Sequence, residues 1–318
     1  MRALWALLFC AATPVAAQTA FLEFPLDCEL GTTCFIEDYV DSDAREKEAR
    51  DFSCGLNTRD GHKGTDIALL DFAGIETGVD VLAAAKGRVL RTRDEIADTG
   101  KGSAPANNAC GNAVLIEHEN GYRSLYCHLK LGSVQVAPDA MVNAGQVLGQ
   151  VGLSGNTTHP HLHFQLYKTD KPVDPFRPEQ SGSCDERQPE NTLWLDPPEY
   201  YATILRFAGF SNAVPSFQDM VSAKALLDTS APDQPLVLYV EAGLSQHGDI
   251  LEFRAEGPAG EIFDHSVLMK SPKKSVRRAF GRRAPAGGWP EGEYTGHVTL
   301  TRKGTIIAHR FAHVRVAK

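Results

Sequence analysis

The sequence predicts an all-β protein of two antiparallel units, and three observations carry that prediction. Between about residues 60 and 170 the chain is a series of short β-rich runs, "DVLAAAKGRVLRTR", "NAVLIEHE", "YRSLYCHLK", "GQVLGQVGLSG" and "HLHFQLY", broken by Gly, Asn, Asp and Pro. Such spacing is that of antiparallel strands. "EHENGYRS" sets an Asn-Gly pair between two apolar-rich runs, the local signature of a hairpin. From about residue 205 to 318 a second set follows, "QPLVLYVEAG", "DILEFRAEGP", "EIFDHSVLMK", "GEYTGHVTLTRKG" and "TIIAHRFAHVRVAK", with the alternation and spacing of an Ig-like β-sandwich.

A chain of 318 residues is long enough for both units, at roughly 100 to 200 residues per domain. It opens with "MRALWALLFCAATPVAAQTA", where Arg2 precedes an apolar run from Ala3 to Ala12 and small residues follow at Val15, Ala16 and Ala17. This is the layout of a secretory signal peptide, residues 1–17, cleaved after Ala17. A membrane span needs about 20 apolar residues, and Thr13 and Pro14 interrupt this run. Lipid attachment uses a cysteine directly after a small residue, whereas Cys10 follows Phe9. The mature protein is expected to be exported, periplasmic or secreted, and without a membrane span. Loss of residues 1–17 moves the formal net charge from -8 to about -9, by the same residue count. No basic stripe points to a nucleic-acid partner.

Without Cys10, six cysteines remain, at 28, 34, 54, 110, 127 and 184. An even set in an exported chain reads as disulfides, and the absence of any C-x-x-C pair argues against structural zinc. Folding "CGNAVLIEHENGYRSLYC" about a turn at Glu119 to Gly121 brings Cys110 and Cys127 together. Pairing among Cys28, Cys34, Cys54 and Cys184 stays open.

Three connecting stretches complete the layout. "RDEIADTGKGSAPANNACG" is long, small and polar, either an excursion or a wall of a substrate groove. Its "DTGKGSA" lacks the spacing of a phosphate-binding loop. "LDPPEYYATILRFAGFSNAVPS", punctuated by Pro197 and Pro198, reads as a linker or short helix. "KSPKKSVRRAFGRRAP" is a basic run, expected as a solvated loop, with contact to an acidic polymer as the alternative.

Six of the eleven histidines, at 62, 118, 128, 159, 161 and 163, fall in the first unit. Strand side chains alternate faces, so His161 and His163 of "HPHLHF" share one face about 6 to 7 Å apart. His62 and Asp66 of "DGHKGTDIAL" lie four residues apart. With His163 they make three ligands and leave a fourth position open, the pattern of catalytic zinc. His161 would then act on protons beside the metal, joined by His128 of "YCHLK", since imidazole titrates near neutrality. No H-E-x-x-H glutamate is present, so the base must be a histidine. His159 precedes Pro160, which breaks simple alternation, and is read as edging the cleft. His118, between Glu117 and Glu119, reads as a hairpin residue. His247, His265, His297, His309 and His313 lack ligand spacing.

Taken in order, "GHKGTDIAL", "GNAVLIEHENGYRSLYCHL", "VNAGQVLGQVGLSGNT" and "HPHLHFQLY" closely resemble the lysostaphin/LytM-type zinc metallopeptidases. The resemblance covers roughly residues 55 to 177, by the extent of those motifs. It implies an antiparallel barrel-sandwich of the duplicated hybrid motif type over residues 18–195, beside the β-sandwich at 205–318. It also implies one Zn2+ per chain on His62, Asp66 and His163, with His128 and His161 as acid/base groups. The implied reaction is hydrolysis of peptide cross-links in peptidoglycan. Some members of such a family lose ligands and serve as silent wall-binding or amidase-activating modules, but all five positions are filled here. Gln165 stands where such proteins often carry Glu, so a change in hydrogen bonding to the site is the expected consequence. A lipoyl or biotinyl carrier, suggested by "VNAGQVLGQVGLSG", would need a lysine at a hairpin tip, and none matches. No partner for residues 205–318 can be read from the sequence.

Overall fold

The computed structural model describes residues 20–318 apart from 44, 46–47, 56, 70–72, 101–107, 181–183, 185–190, 202 and 222–223. The expected signal peptide, 1–17, and the middle of the long polar loop lie outside the described residues. Two β units follow one another along the chain, each around its own apolar core.

The first unit contains β1 (Cys34–Asp38), β2 (Thr65–Leu69), β3 (Asp80–Leu82), β4 (Gly87–Arg93), β5 (Asn112–Glu117), β6 (Tyr122–Leu129), β7 (Met141–Val142), β8 (Val147–Gln150), β9 (His161–Lys168) and β10 (Lys171–Val173). Its main sheet runs β1-β2-β9-β6-β5-β4-β7, with β10 beside β9, and β3 pairs with β8 in a small second sheet. The pairings between these strands are antiparallel. Period-two alternation sorts β9: Leu162, Phe164 and Leu166 enter the core with Ile67, Tyr126 and Trp194, and His161, His163, Gln165 and Tyr167 take the opposite face. β5 and β6 are joined through the short turn Glu119–Gly121, where Gly121 takes a φ of 75° that glycine reaches without steric cost.

That hairpin closes the disulfide Cys110–Cys127, as expected. The structure also settles the open pairs: Cys28 joins Cys34 across a short loop, and Cys54 joins Cys184 at a sequence separation of 130.

The second unit contains β11 (Ile204–Ser211), β12 (Thr229–Ser230), β13 (Leu236–Ser245), β14 (Ile250–Gly257), β15 (Gly260–Leu268), β16 (Lys273–Arg282), β17 (Gly292–Arg302) and β18 (Thr305–Val316). Three strands form one sheet, β11-β13-β16, and five form another, β12-β18-β17-β14-β15. Leu238 and Val240 from the first and Phe253, Val298, Leu300 and Val314 from the second share one core.

Two local expectations need correction. "ILRFAGFS" is the strand β11 rather than a linker or short helix, because its apolar and aromatic residues pair with β13 from Ile204↔Gly243 to Ser211↔Val237. The basic run is not a loop either: Lys273–Arg282 is β16, paired with β13 along its length. Its Lys and Arg side chains point mostly to solvent at a sheet edge, where charge discourages pairing with another chain. Among the described residues no helix is long and apolar enough to cross a membrane.

Candidate metal centre

Sheet pairing assembles the site. In the β2–β9 ladder Asp66 lies opposite His163 and Ala68 opposite His161, so a carboxylate and an imidazole distant in sequence meet on one face. His62 enters from the turn before β2, its N–H bonded to the Arg59 carbonyl at 3.0 Å. Gly64 leaves room for the His163 ring, since a Cβ there would come within 2.6 Å of Cε1 and 2.7 Å of Nε2.

Three donor atoms converge. Asp66 Oδ1 lies 2.6 Å from His163 Nδ1 and 3.1 Å from His62 Nε2, and the two nitrogens are 3.2 Å apart. Among the described residues this trio is the group whose ligand atoms all fall within 4.8 Å of one another. The far side of each donor is engaged. His62 Nδ1 donates to the Tyr39 carbonyl at 2.8 Å, His163 Nε2 donates to Gln165 Oε1 at 3.3 Å, and Asp66 Oδ2 accepts from Arg59 Nη2 at 2.7 Å. The remaining lone pairs therefore point at one another, as a divalent cation with nitrogen and oxygen ligands requires. The residues present fit zinc.

Charge reinforces this. Burial would raise the Asp66 carboxyl, but His62, His161 and His163 facing it hold it well below the usual carboxylate range. A buried, ionised carboxylate beside imidazoles is a hard, preformed anionic ligand.

Two further imidazoles flank the trio. His128, next to last in β6, has a φ of 65°, a left-handed backbone that its surroundings hold. Its N–H donates to the Cys110 carbonyl at 2.8 Å and its own carbonyl accepts from Gly152 at 3.0 Å, while Cys110 is also tied to Cys127. Nδ1 of His128 donates to the Ser154 carbonyl at 2.8 Å, leaving Nε2 as an acceptor. His161 Nδ1 reaches the His159 carbonyl at 3.1 Å and Thr157 Oγ1 at the same distance, so its Nε2 faces Asp66 Oδ2 at 3.8 Å. The His128 and His161 rings lie 4.7 Å apart, and His128 and His163 6.3 Å apart. Burial lowers both pKa values, that of His161 to about 4 and that of His128 well below its ordinary range, with neighbouring imidazoles adding to the effect. Both rings are neutral near pH 7 and able to accept a proton.

The structure thus brings together all five residues singled out from the sequence. His159 stays apart from the trio: Nε2 meets Glu37 Oε2 at 2.5 Å, and its ring stacks on Phe311 of the second unit at 4.9 Å. His118 is buried by bonds to the Lys86 carbonyl and Ser124 Oγ. Sequence reasoning missed Arg59, although it lies three residues before His62, because nothing in "TRDGH" marks its partner. Tyr39 was invisible for a different reason, since it contributes a backbone carbonyl.

On the histidine face, the sheet continues into an open cleft of about 510 Å³ lined by Arg91, Arg93, Leu115, Arg123, Leu125 and Tyr167, among others. Tyr167 lies four residues beyond His163 on β9, about 13 Å along the strand.

Residues 60–175 match peptidase family M23. DD-carboxypeptidase/endopeptidase Mpg of Neisseria meningitidis is 38% identical over 101 residues, 32% of this chain and 22% of that protein. Peptidoglycan DD-endopeptidase ShyA of Vibrio cholerae is 31% identical over 116 residues, 36% of this chain and 22% of that protein. Lysostaphin of Staphylococcus staphylolyticus is 34% identical over 104 residues, 33% of this chain and 18% of that protein. The matched stretch thus spans about a fifth of the length of these relatives.

Proposed function

We propose, from the premise that the chain belongs to peptidase family M23 through residues 60–175, that it is a zinc-dependent endopeptidase acting on peptide cross-links of peptidoglycan. The observation that carries this reading is the convergence of His62 Nε2, Asp66 Oδ1 and His163 Nδ1 within 4.8 Å, flanked by two neutral imidazoles beside an open cleft. In this reading the trio holds one zinc ion per chain. Zinc supplies Lewis acidity, lowering the pKa of a coordinated water toward about 7 and polarising a carbonyl.

The protein's own residues do the rest. Arg59, Gln165 and the Tyr39 carbonyl orient the three ligands. His128 and His161, uncharged and fixed through Nδ1, present Nε2 to the reacting centre. One Nε2 takes a proton from the attacking water, and protonation of the leaving amine completes the exchange of an amide bond for a carboxyl group and an amine. Imidazolium formed on one ring is stabilised by Asp66 nearby. In this reading the stem peptide lies in the cleft of about 510 Å³ over β4, β5, β6 and β9, on the same sheet face as the histidines. The names of two relatives, a DD-carboxypeptidase/endopeptidase and a peptidoglycan DD-endopeptidase, support reading the target here as cross-links containing D-amino acids rather than glycine bridges.

Three disulfides fit a protein that works outside the cytoplasm, in the periplasm or secreted. Residues 18–195 then form the catalytic domain, of duplicated hybrid motif type, and residues 205–318 an Ig-like accessory domain.

The test is zinc content together with digestion of purified sacculi, His163→Ala serving as control. Stoichiometric zinc and release of new amino termini by the wild type, absent in the variant, are expected. A wild type without zinc or products would make the fold a silent wall-binding or amidase-activating module.

A further inference from the structure

The second β unit reaches the metal site through one arginine. β18 packs along β1, with the Ile306 N–H donating to the Gly31 carbonyl at 3.0 Å and the His309 ring against Phe35 at 4.8 Å. Directly after His309, Arg310 extends into the first unit. Its Nη1 lies 2.9 Å from Glu37 Oε1, its Nη2 3.4 Å from Asp38 Oδ1, and its Nε 3.1 Å from the Leu205 carbonyl.

Neighbouring residues of a regular strand point to opposite faces, yet Glu37 and Asp38 both meet this guanidinium. The register of β1 against β2 shifts between Ile36 and Asp38, and such a bulge re-aims side chains. Both carboxylates are buried, and each spends its other oxygen on the catalytic side. Glu37 Oε2 holds His159 at 2.5 Å. Asp38 Oδ2 accepts from Arg59 Nη1, and the other arm of Arg59, Nη2, holds Asp66 Oδ2 at 2.7 Å. Alternating charges therefore run without a break from Arg310 through Asp38 and Arg59 to a residue of the donor trio.

We infer that Arg310 is a positioning residue for the metal centre, so that the C-terminal unit forms part of the site's support. The inference rests on the metal site proposed above. Arg310 fixes Asp38, Asp38 fixes the Arg59 fork, and Arg59 turns Asp66 so that Oδ1 faces His62 and His163. A planar guanidinium can serve two carboxylates at once, whereas a lysine ammonium cannot reproduce that fork. Partners that orient metal ligands commonly govern about 10- to 100-fold in affinity.

The test uses the full chain with zinc affinity from chelator competition and the visible spectrum of the cobalt-substituted protein. Arg310→Ala and Asp38→Asn are each expected to weaken zinc binding about 10-fold and to alter the cobalt bands, with Arg310→Lys recovering part of the loss. Arg302→Ala, which breaks the Arg302–Asp249 pair inside the second unit, should leave both readouts at wild-type values. Wild-type zinc affinity and an unchanged cobalt spectrum in Asp38→Asn, which keeps the side chain's size, overturn the inference even if Arg310→Ala does not fold. A wild type that binds no metal overturns the metal-site reading and this inference with it. Wild-type metal binding combined with unchanged affinity in the variants overturns this inference alone.

Discussion

His163 donates from Nε2 to Gln165 Oε1 at 3.3 Å, and this bond leaves Nδ1 as the nitrogen turned toward Asp66. The two residues lie two apart on β9 and so share its open face. Gln165→Leu removes the acceptor without removing a ligand, and zinc affinity should fall about 10- to 100-fold. Gln165→Glu keeps an acceptor and should bind zinc at least as tightly as the wild type. Competition against a chromogenic chelator measures both, and equal affinities for the Leu variant and the wild type would dissociate Gln165 from the site.

Ligands and proton-transfer groups should separate experimentally. His62→Ala and Asp66→Ala remove donor atoms of the trio and should abolish stoichiometric zinc. His128 bonds through Nδ1 to the Ser154 carbonyl and contributes no atom to the trio. His128→Ala should keep its zinc while turnover falls about 10²- to 10⁴-fold, the usual weight of a general acid or base. Zinc analysis beside sacculus digestion makes the comparison, and equal metal loss in all three variants would sink the division of roles.

The contrast between what the motifs reveal and what they hide follows from sequence distance. His62 and Asp66 sit four apart in one short word, and His161 and His163 share one face of a strand by alternation, so each pair is legible on its own; that the two words and His128 meet across the β2–β9 ladder is implied by the family resemblance rather than by spacing. The pairs that support them could not be anticipated. Arg310 is 272 residues from Asp38, and Cys54 is 130 residues from Cys184; neither pairing leaves a periodic trace. Cys110 and Cys127, flanking one hairpin, were legible because the turn itself sets their register. β16 is hidden for another reason: "KKSVRRAFGR" carries its charges on the solvent side and within it only Val276 is buried, so its composition is that of a solvated loop.

Gly64 provides a steric test of the trio. A methyl group at this position would sit 2.6 Å from His163 Cε1 and 2.7 Å from the Phe164 carbonyl oxygen. The second contact is backbone, so the ladder between β2 and β9 cannot yield cheaply and the imidazole must move. Gly64→Ala should therefore lose zinc affinity by about 10-fold or more while the thermal transition shifts only modestly. If the variant binds zinc as tightly as the wild type, the close packing of His163 on Gly64 is not what aims the ring.

Asp174 predicts a pH dependence of stability independent of the metal. It follows β10 and is 1% exposed. Its Oδ1 accepts from the Phe176 N–H at 2.9 Å, and Oδ2 has no hydrogen-bond partner among the described residues. Burial pushes its carboxyl up to about 7, with the nearby Asp51 carboxylate adding to the rise. The native state therefore holds a proton that the unfolded chain releases near the ordinary carboxyl value of about 4. Because the native state binds more protons between these values, stability falls as pH rises from about 4 to about 7, by up to about 1.4 kcal/mol per pH unit from this group, and the loss is complete above it. Asp174→Asn removes the ionisation and keeps the shape. Urea unfolding across that window should give a difference between variant and wild type that grows from about zero at pH 4 to a few kcal/mol in favour of Asn at pH 8, following the same relation. Parallel stability profiles for the two proteins would show that Asp174 is ionised in the native state and that its burial is compensated.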